Sequence, residues 1–214
     1  EIPAPQPGER ETLVAIKSVG ICGSDVHYYE HGRIGPFVVE DPIILGHECA
    51  GEIVALGKGV KNLRVGDRVA IEPGIPCRMC HFCKSGRYNL CQDLTFMATP
   101  PDHGSLCEYV AWPEDFLYRL PDGVDNEMGA MIEPLSVGLH SVNLVDLNYG
   151  EDVCVLGAGP IGLLAMAAAQ AAGAGTVSIV DLAQDRLDFA REYGASRTVN
   201  GSQEEAADVL ADSA

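Results

Sequence analysis

Hydrophobic positions change their period partway along the chain, and the change divides it in two. Between residues 12 and 120 they fall in short β-branched runs closed by Gly, Pro or Asp: TLVAIKSVGI, CAGEIVALG, DRVAIEPG and LCEYVAWP. These runs predict strands joined by turns. From about Asn126 the period becomes helical in NEMGAMIEPLSVGLHSVNLV, with Pro134 expected to interrupt it. Next come a strand, a glycine turn and a helix in DVCVLGAGPIGLLAMAAAQAAG, then a second strand, TVSIVD. The helix QDRLDFAREYG, closed by Gly194, follows. SRTVN predicts a third strand, and SQEEAADVLADSA a last acidic helix. The pattern predicts an α/β chain, a β-rich domain over 1–132 followed by a βαβαβ half-sheet over 133–214.

The half-sheet carries a phosphate-binding pattern. Gly157, Gly159 and Gly162 spell G-x-G-x-x-G directly after a strand and at the start of a helix. The first glycine permits the tight turn, the second lets backbone approach a pyrophosphate, and the third lets helix and strand pack closely. Amides at the helix N-terminus then face the phosphates. Asp181 ends the next strand, where a carboxylate accepts ribose hydroxyls and repels a 2′-phosphate, favouring NAD over NADP. Arg186 stands five residues further on, beside the adenosine ribose or simply at the surface.

Composition narrows the rest. The 214-residue chain has 14 basic and 31 acidic residues and a net charge of −17, which repels nucleic acid and anionic membrane. A run of 18 apolar residues is lacking, and the start EIPAPQPGERETL has no charged and apolar leader pattern. The expected address is a reducing cytoplasm, where disulfides are rare. Four of the eight cysteines nevertheless crowd into CRMCHFCKSGRYNLC as C-x2-C-x2-C-x7-C: Cys77, Cys80, Cys83 and Cys91. Such spacing, with Gly86 in the return loop, suits four thiolates around one tetrahedral ion. Structural zinc and an iron–sulfur cluster both fit.

A second set of ligand types lies apart. GICGSDVHYYEHG offers Cys22, Ser24, Asp25, His27 and His31; ILGHECAGEI offers His47 and Glu48; MIEPLSVG offers Glu133. Cys, His and Glu all bind zinc, and a catalytic zinc keeps one position open. Each residue also has a plain alternative: Cys22 as a small core residue, His47 as a buried imidazole, Glu48 and Glu133 as paired surface charges.

Taken together, GICGSDVHYYEHGRIG, LGHECAG, GDRVAIEPG, the four-cysteine lobe, GSLCEY, IEPLSVG and GAGPIG make the chain resemble the zinc-dependent medium-chain alcohol dehydrogenases. Within them it is most similar to the polyol branch, the sorbitol and xylitol dehydrogenases. The resemblance implies a GroES-like catalytic domain carrying a structural-zinc lobe at about 76–92, followed by the first half of a Rossmann domain. It implies that Cys22, His47 and Glu48 bind a catalytic zinc and that Asp25 orients His47. Glu133, where other branches place a cysteine, would hold a water or the substrate hydroxyl, or ligate directly. Tyr28 would contact the polyol, Ser24 relay a proton, and Ile161 line NAD beside Asp181 and Arg186. The implied reaction oxidises a secondary hydroxyl of a polyol to a ketose with hydride transfer to NAD, in a homotetramer. A further segment after Ala214 is expected to complete the sheet and supply more substrate contacts. The competing readings are a threonine, glucose or simple alcohol dehydrogenase, and a non-catalytic NAD-binding protein of the same fold.

Overall fold

The computed structural model describes residues 2–203. Two compact units meet at the bond between Glu133 and Pro134. In chain order the first unit holds β1 (Glu11–Gly20), α1 (Gly23–His31) and the hairpin β2 (Arg33–Ile34) and β3 (Phe37–Val38). It continues with β4 (Glu48–Leu56), β5 (Arg68–Ile71), β6 (Gly74–Ile75), α2 (His81–Lys84) and β7 (Thr95–Phe96). Then come β8 (Tyr109–Pro113), β9 (Leu117–Arg119) and α3 (Asn126–Ala130). Helix α4 (Ile132–Leu144) crosses the boundary, and β10 (Val153–Leu156), α5 (Pro160–Ala171), β11 (Val177–Asp181), α6 (Gln184–Glu192) and β12 (Arg197–Asn200) complete the second unit.

The first unit is built on an antiparallel sheet ordered β8-β1-β4-β5-β9. Inward apolar positions of these strands meet in one core of Val14, Ile53, Val69, Ile71, Met97, Trp112 and Phe116. At its edge the buried Glu114 carboxylate accepts the N–H groups of Lys61 and Asn62 and pairs with Arg10 at 3.0 Å. The second unit is a parallel sheet ordered β10-β11-β12, each strand joined to the next through a helix. Met166, Ala169, Val177, Ile179, Leu187 and Ala190 form its core. This is a mixed α/β chain with a GroES-like first domain and a Rossmann-type second one.

One local expectation changes. Pro134 does not interrupt the helix; the break falls at Met131, and Pro134 is the third residue of α4. In the first turn a helical N–H has no intrahelical acceptor, so proline costs nothing there. The stretch after Cys22 forms the nine-residue α1, so Tyr28 lies within a helix. The expected acidic helix after Asn200 falls almost wholly outside the described residues, of which 201–203 form a turn. Among the described residues, no helix is long and apolar enough to cross a membrane.

Ile53 is fully buried in the first core, so Ile53→Ala should cost about 3 kcal/mol. Trp112, the one tryptophan of the chain, lies in the same cluster and reports its unfolding. The expected result is a lower urea midpoint by tryptophan fluorescence with an unchanged slope.

Candidate functional site

Cys22, His47 and Glu48 come together: a thiol, an imidazole nitrogen and a carboxylate oxygen all lie within 4.8 Å of one another. The thiol is half-buried, and His47 and Glu48 are buried. Backbone builds this convergence. Cys22 stands between the end of β1 and the first turn of α1, while His47 and Glu48 lead into β4, whose Glu48 pairs with Gly20 of β1. A Cβ at Gly20 would lie 2.2 Å from Glu48 Oε2, so a larger residue there would displace that carboxylate.

Asp25 ties the two segments. Its Oδ2 accepts the Cys22 N–H at 3.0 Å and its Oδ1 accepts the Gly46 N–H at 2.8 Å. The distance from Oδ1 to His47 Nδ1 is 3.9 Å, too long for a hydrogen bond. Asp25 therefore holds His47 through the neighbouring peptide rather than through the imidazole. The Phe96 ring flanks the imidazole at 5.5 Å.

Glu133, at the start of α4, sits close enough to Glu48 for the two charges to repel. Burial, with the Glu48 charge adding to it, pushes the Glu133 carboxyl up to about 7. Tyr28 is buried on α1, its phenol raised by burial and opposed by a hydrogen bond with the Thr99 side chain. Ser24, half-buried, is the second residue of α1.

The donor chemistry fits zinc at both cysteine-bearing places. A half-buried thiol, a buried imidazole and a buried carboxylate, with Glu133 near Glu48, form a donor set that suits a cation. Cys77, Cys80, Cys83 and Cys91 form the other set, again with all four sulfurs within 4.8 Å. Backbone amides prepare these sulfurs for negative charge. The N–H groups of Met79 and Cys80 donate to Cys77 Sγ, and the Cys77 N–H donates to Cys91 Sγ. The amides lower the Cys77 thiol to about 7, whereas burial and the adjoining thiols hold Cys83 up. Arg78, at φ +62, turns this loop while its guanidinium pairs with Asp115 at 2.9 Å and covers the Phe116 ring.

In the second unit the three glycines have separate tasks. Gly157 adopts φ +103; a Cβ on Gly159 would meet only open space; a Cβ on Gly162 would lie 1.8 Å from the Gly157 carbonyl oxygen. Helix α5 begins at Pro160 with no side-chain cap, and Ile161 beside it is exposed. Asp181 closes β11 and accepts the N–H of Ala158, inside the glycine turn, at 2.7 Å, and that of Ala183 at 2.9 Å. These amides lead in lowering its pKa, with the Arg186 charge contributing at 4.0 Å. Phe96 and Thr99 escape sequence reasoning because nothing local marks them; only the tertiary path puts them against His47 and Tyr28.

Residues 8–122 match the family model of the alcohol dehydrogenase GroES-like domain, and residues 160–214 that of zinc-binding dehydrogenase. The chain is 48% identical over 209 residues to sorbitol dehydrogenase of Bacillus subtilis, covering 98% of this chain and 59% of that protein. It is 52% identical over 198 residues to probable D-xylulose reductase A of Neosartorya fischeri, covering 92% and 55%. The solved galactitol-1-phosphate dehydrogenase of Escherichia coli superposes with a TM-score of 0.90 at 35% identity, covering 99% of this chain and 60% of that one. The chain thus spans less than two thirds of the length of these relatives. With its matched domains and its converging donors, the chain belongs to the zinc-dependent medium-chain alcohol dehydrogenase family.

Proposed function

We propose that the protein of which this chain is part is an NAD-dependent polyol dehydrogenase, oxidising a secondary hydroxyl of sorbitol, xylitol or a similar polyol to the ketose. The observation that carries this reading is Glu133, a carboxylate near Glu48 of the Cys22, His47 and Glu48 set. The names of the curated relatives, sorbitol dehydrogenase and D-xylulose reductase, support the substrate class.

Cys22, His47 and Glu48 would hold the catalytic zinc, which when bound supplies a Lewis acid that makes a secondary hydroxyl more acidic. Glu133, its carboxyl raised to about 7, would be a base matched to accept the hydroxyl proton near neutrality. Tyr28 orients the polyol from the buried face of α1, and Ser24 passes the proton onward. The substrate thereby loses a proton from oxygen and a hydride from carbon, the hydride going to NAD. Gly157, Gly159 and Gly162 give the pyrophosphate its turn, while Ile161 and Arg186 flank the cofactor. Asp181 has about four lone-pair positions, of which two accept Ala158 and Ala183, so ribose hydroxyls can still bind.

Domain limits of 1–132 and 133–214, a four-thiolate structural zinc at 76–92, a homotetramer and a cytoplasmic address belong to the same reading. The free state of all eight cysteines supports the last.

For the lobe, metal analysis of the purified chain should find two zinc ions, falling to one in Cys80→Ser. Visible absorbance from iron, or an unchanged metal count, overturns the assignment. Asp181→Ala should narrow the preference for NAD over NADP by about tenfold or more in the full-length protein. The ratio of the two kcat/KM values is the readout, because loss of the Ala158 clamp weakens both. Glu133→Gln keeps the shape and removes the charge. Zinc content should stay near that of the parent, and kcat/KM for sorbitol and xylitol should fall roughly a hundredfold, the scale of a lost general base. Near-normal turnover with zinc retained would make Glu133 structural.

A further inference from the structure

Helix α1 carries chemistry that the dehydrogenase reading leaves unused. His27, Glu30 and His31 follow one another as H-x-x-E-H within a regular helix. Positions i, i+3 and i+4 share one helical face, and this order on a helix places two imidazoles and a carboxylate one turn apart. The side chains have already approached: the two imidazole centroids are 4.5 Å apart, edge to face, and Glu30 Oε2 lies 4.0 Å from His31 Nε2. All three residues are exposed. Neither ring is packed into a core that would explain the pair.

We infer that His27 and His31, assisted by Glu30, form a surface site for one borderline transition-metal ion such as Zn2+, Ni2+ or Cu2+. The donors do not yet converge as closely as the two sets above. Closing them takes only rotation of exposed side chains, which are not tied to a core. With two nitrogens, one oxygen and the remaining positions left to water, the site is weak and open. Its preference follows Cu2+ over Ni2+ over Co2+, and a hard ion such as Mg2+ is refused. An ion bridging His27 and His31 staples the last turn of α1, the turn closed by the Gly32 N–H to Tyr28 carbonyl bond of 2.8 Å. The site therefore stiffens the helix that begins beside Cys22 and carries Ser24 and Tyr28.

Titration of the zinc-loaded chain with Ni2+, followed by calorimetry, tests this. Zinc release is monitored with a chromogenic chelator so that exchange at the thiolates is seen separately. The expected result is one Ni2+ bound without zinc release, at least tenfold more weakly in His27→Ala and in His31→Ala, and about threefold more weakly in Glu30→Gln. Both histidine positions are exposed and helical, so alanine is tolerated by the fold. Amide exchange around Tyr28–Gly32 should slow when Ni2+ is added to the parent chain and stay unchanged in the double alanine variant. Equal Ni2+ affinity in the parent and both single variants overturns the inference. So does Ni2+ uptake matched by zinc release.

Discussion

One buried carboxylate ties together the two segments that carry Cys22, His47 and Glu48. Asp25 is 3% exposed, and a charge so placed is tolerable only with hydrogen bonds to both oxygens. It receives them from the Cys22 and Gly46 amides, one from each ligand-bearing segment. Charge-assisted bonds of this kind are roughly twice as strong as neutral ones. Cys22 follows one clamped amide directly, and His47 is bonded to the other clamped residue. Glu48 is fixed next to them by the pairing of β4 with β1. The backbone thereby brings together the segments that carry the thiol, the imidazole and the carboxylate.

The second unit repeats the device. Asp181 clasps the glycine turn through Ala158 and the start of α6 through Ala183. In the four-cysteine lobe the acceptor is sulfur instead of carboxylate oxygen, again with peptide amides donating. In all three places main-chain N–H groups meet a group that is, or becomes, negative. A side chain that binds a ligand and also holds its own loop cannot be removed cleanly, which is why ratios and metal counts are more informative there than bare activities.

How much of this was legible follows from where each signal sits. Long alternating runs announce β1, β4, β5 and β8, and the glycine pattern with its flanking strand and acid announces the turn before α5. Helix α1 was not legible, because GSDVHYYEH has no apolar stripe and buries only Asp25 and Tyr28. Its signals are terminal ones: an acid three residues after Cys22 and a left-handed Gly32 at the end. The two-residue strands of β2, β3, β6 and β7 are too short to show a period. Asp25 was read as a partner of His47 since metal-bound imidazoles usually have one. Its Oδ1 lies 3.9 Å from His47 Nδ1, and the two amides that it also accepts leave no trace in the choice of residue.

The pair formed by Glu48 and Glu133 argues most directly that this place has a task beyond folding. Burial and the neighbouring Glu48 both work against the charge of Glu133, a placement that stability alone does not favour. The surrounding sequence nevertheless makes room for them. Gly20, a poor strand former, occupies the end of β1 where any Cβ would strike Glu48 Oε2. Local preference is overruled to keep an anionic donor in place, and such conflicts concentrate at sites of chemistry. A cation held by Cys22, His47 and Glu48 would set an attraction against that penalty.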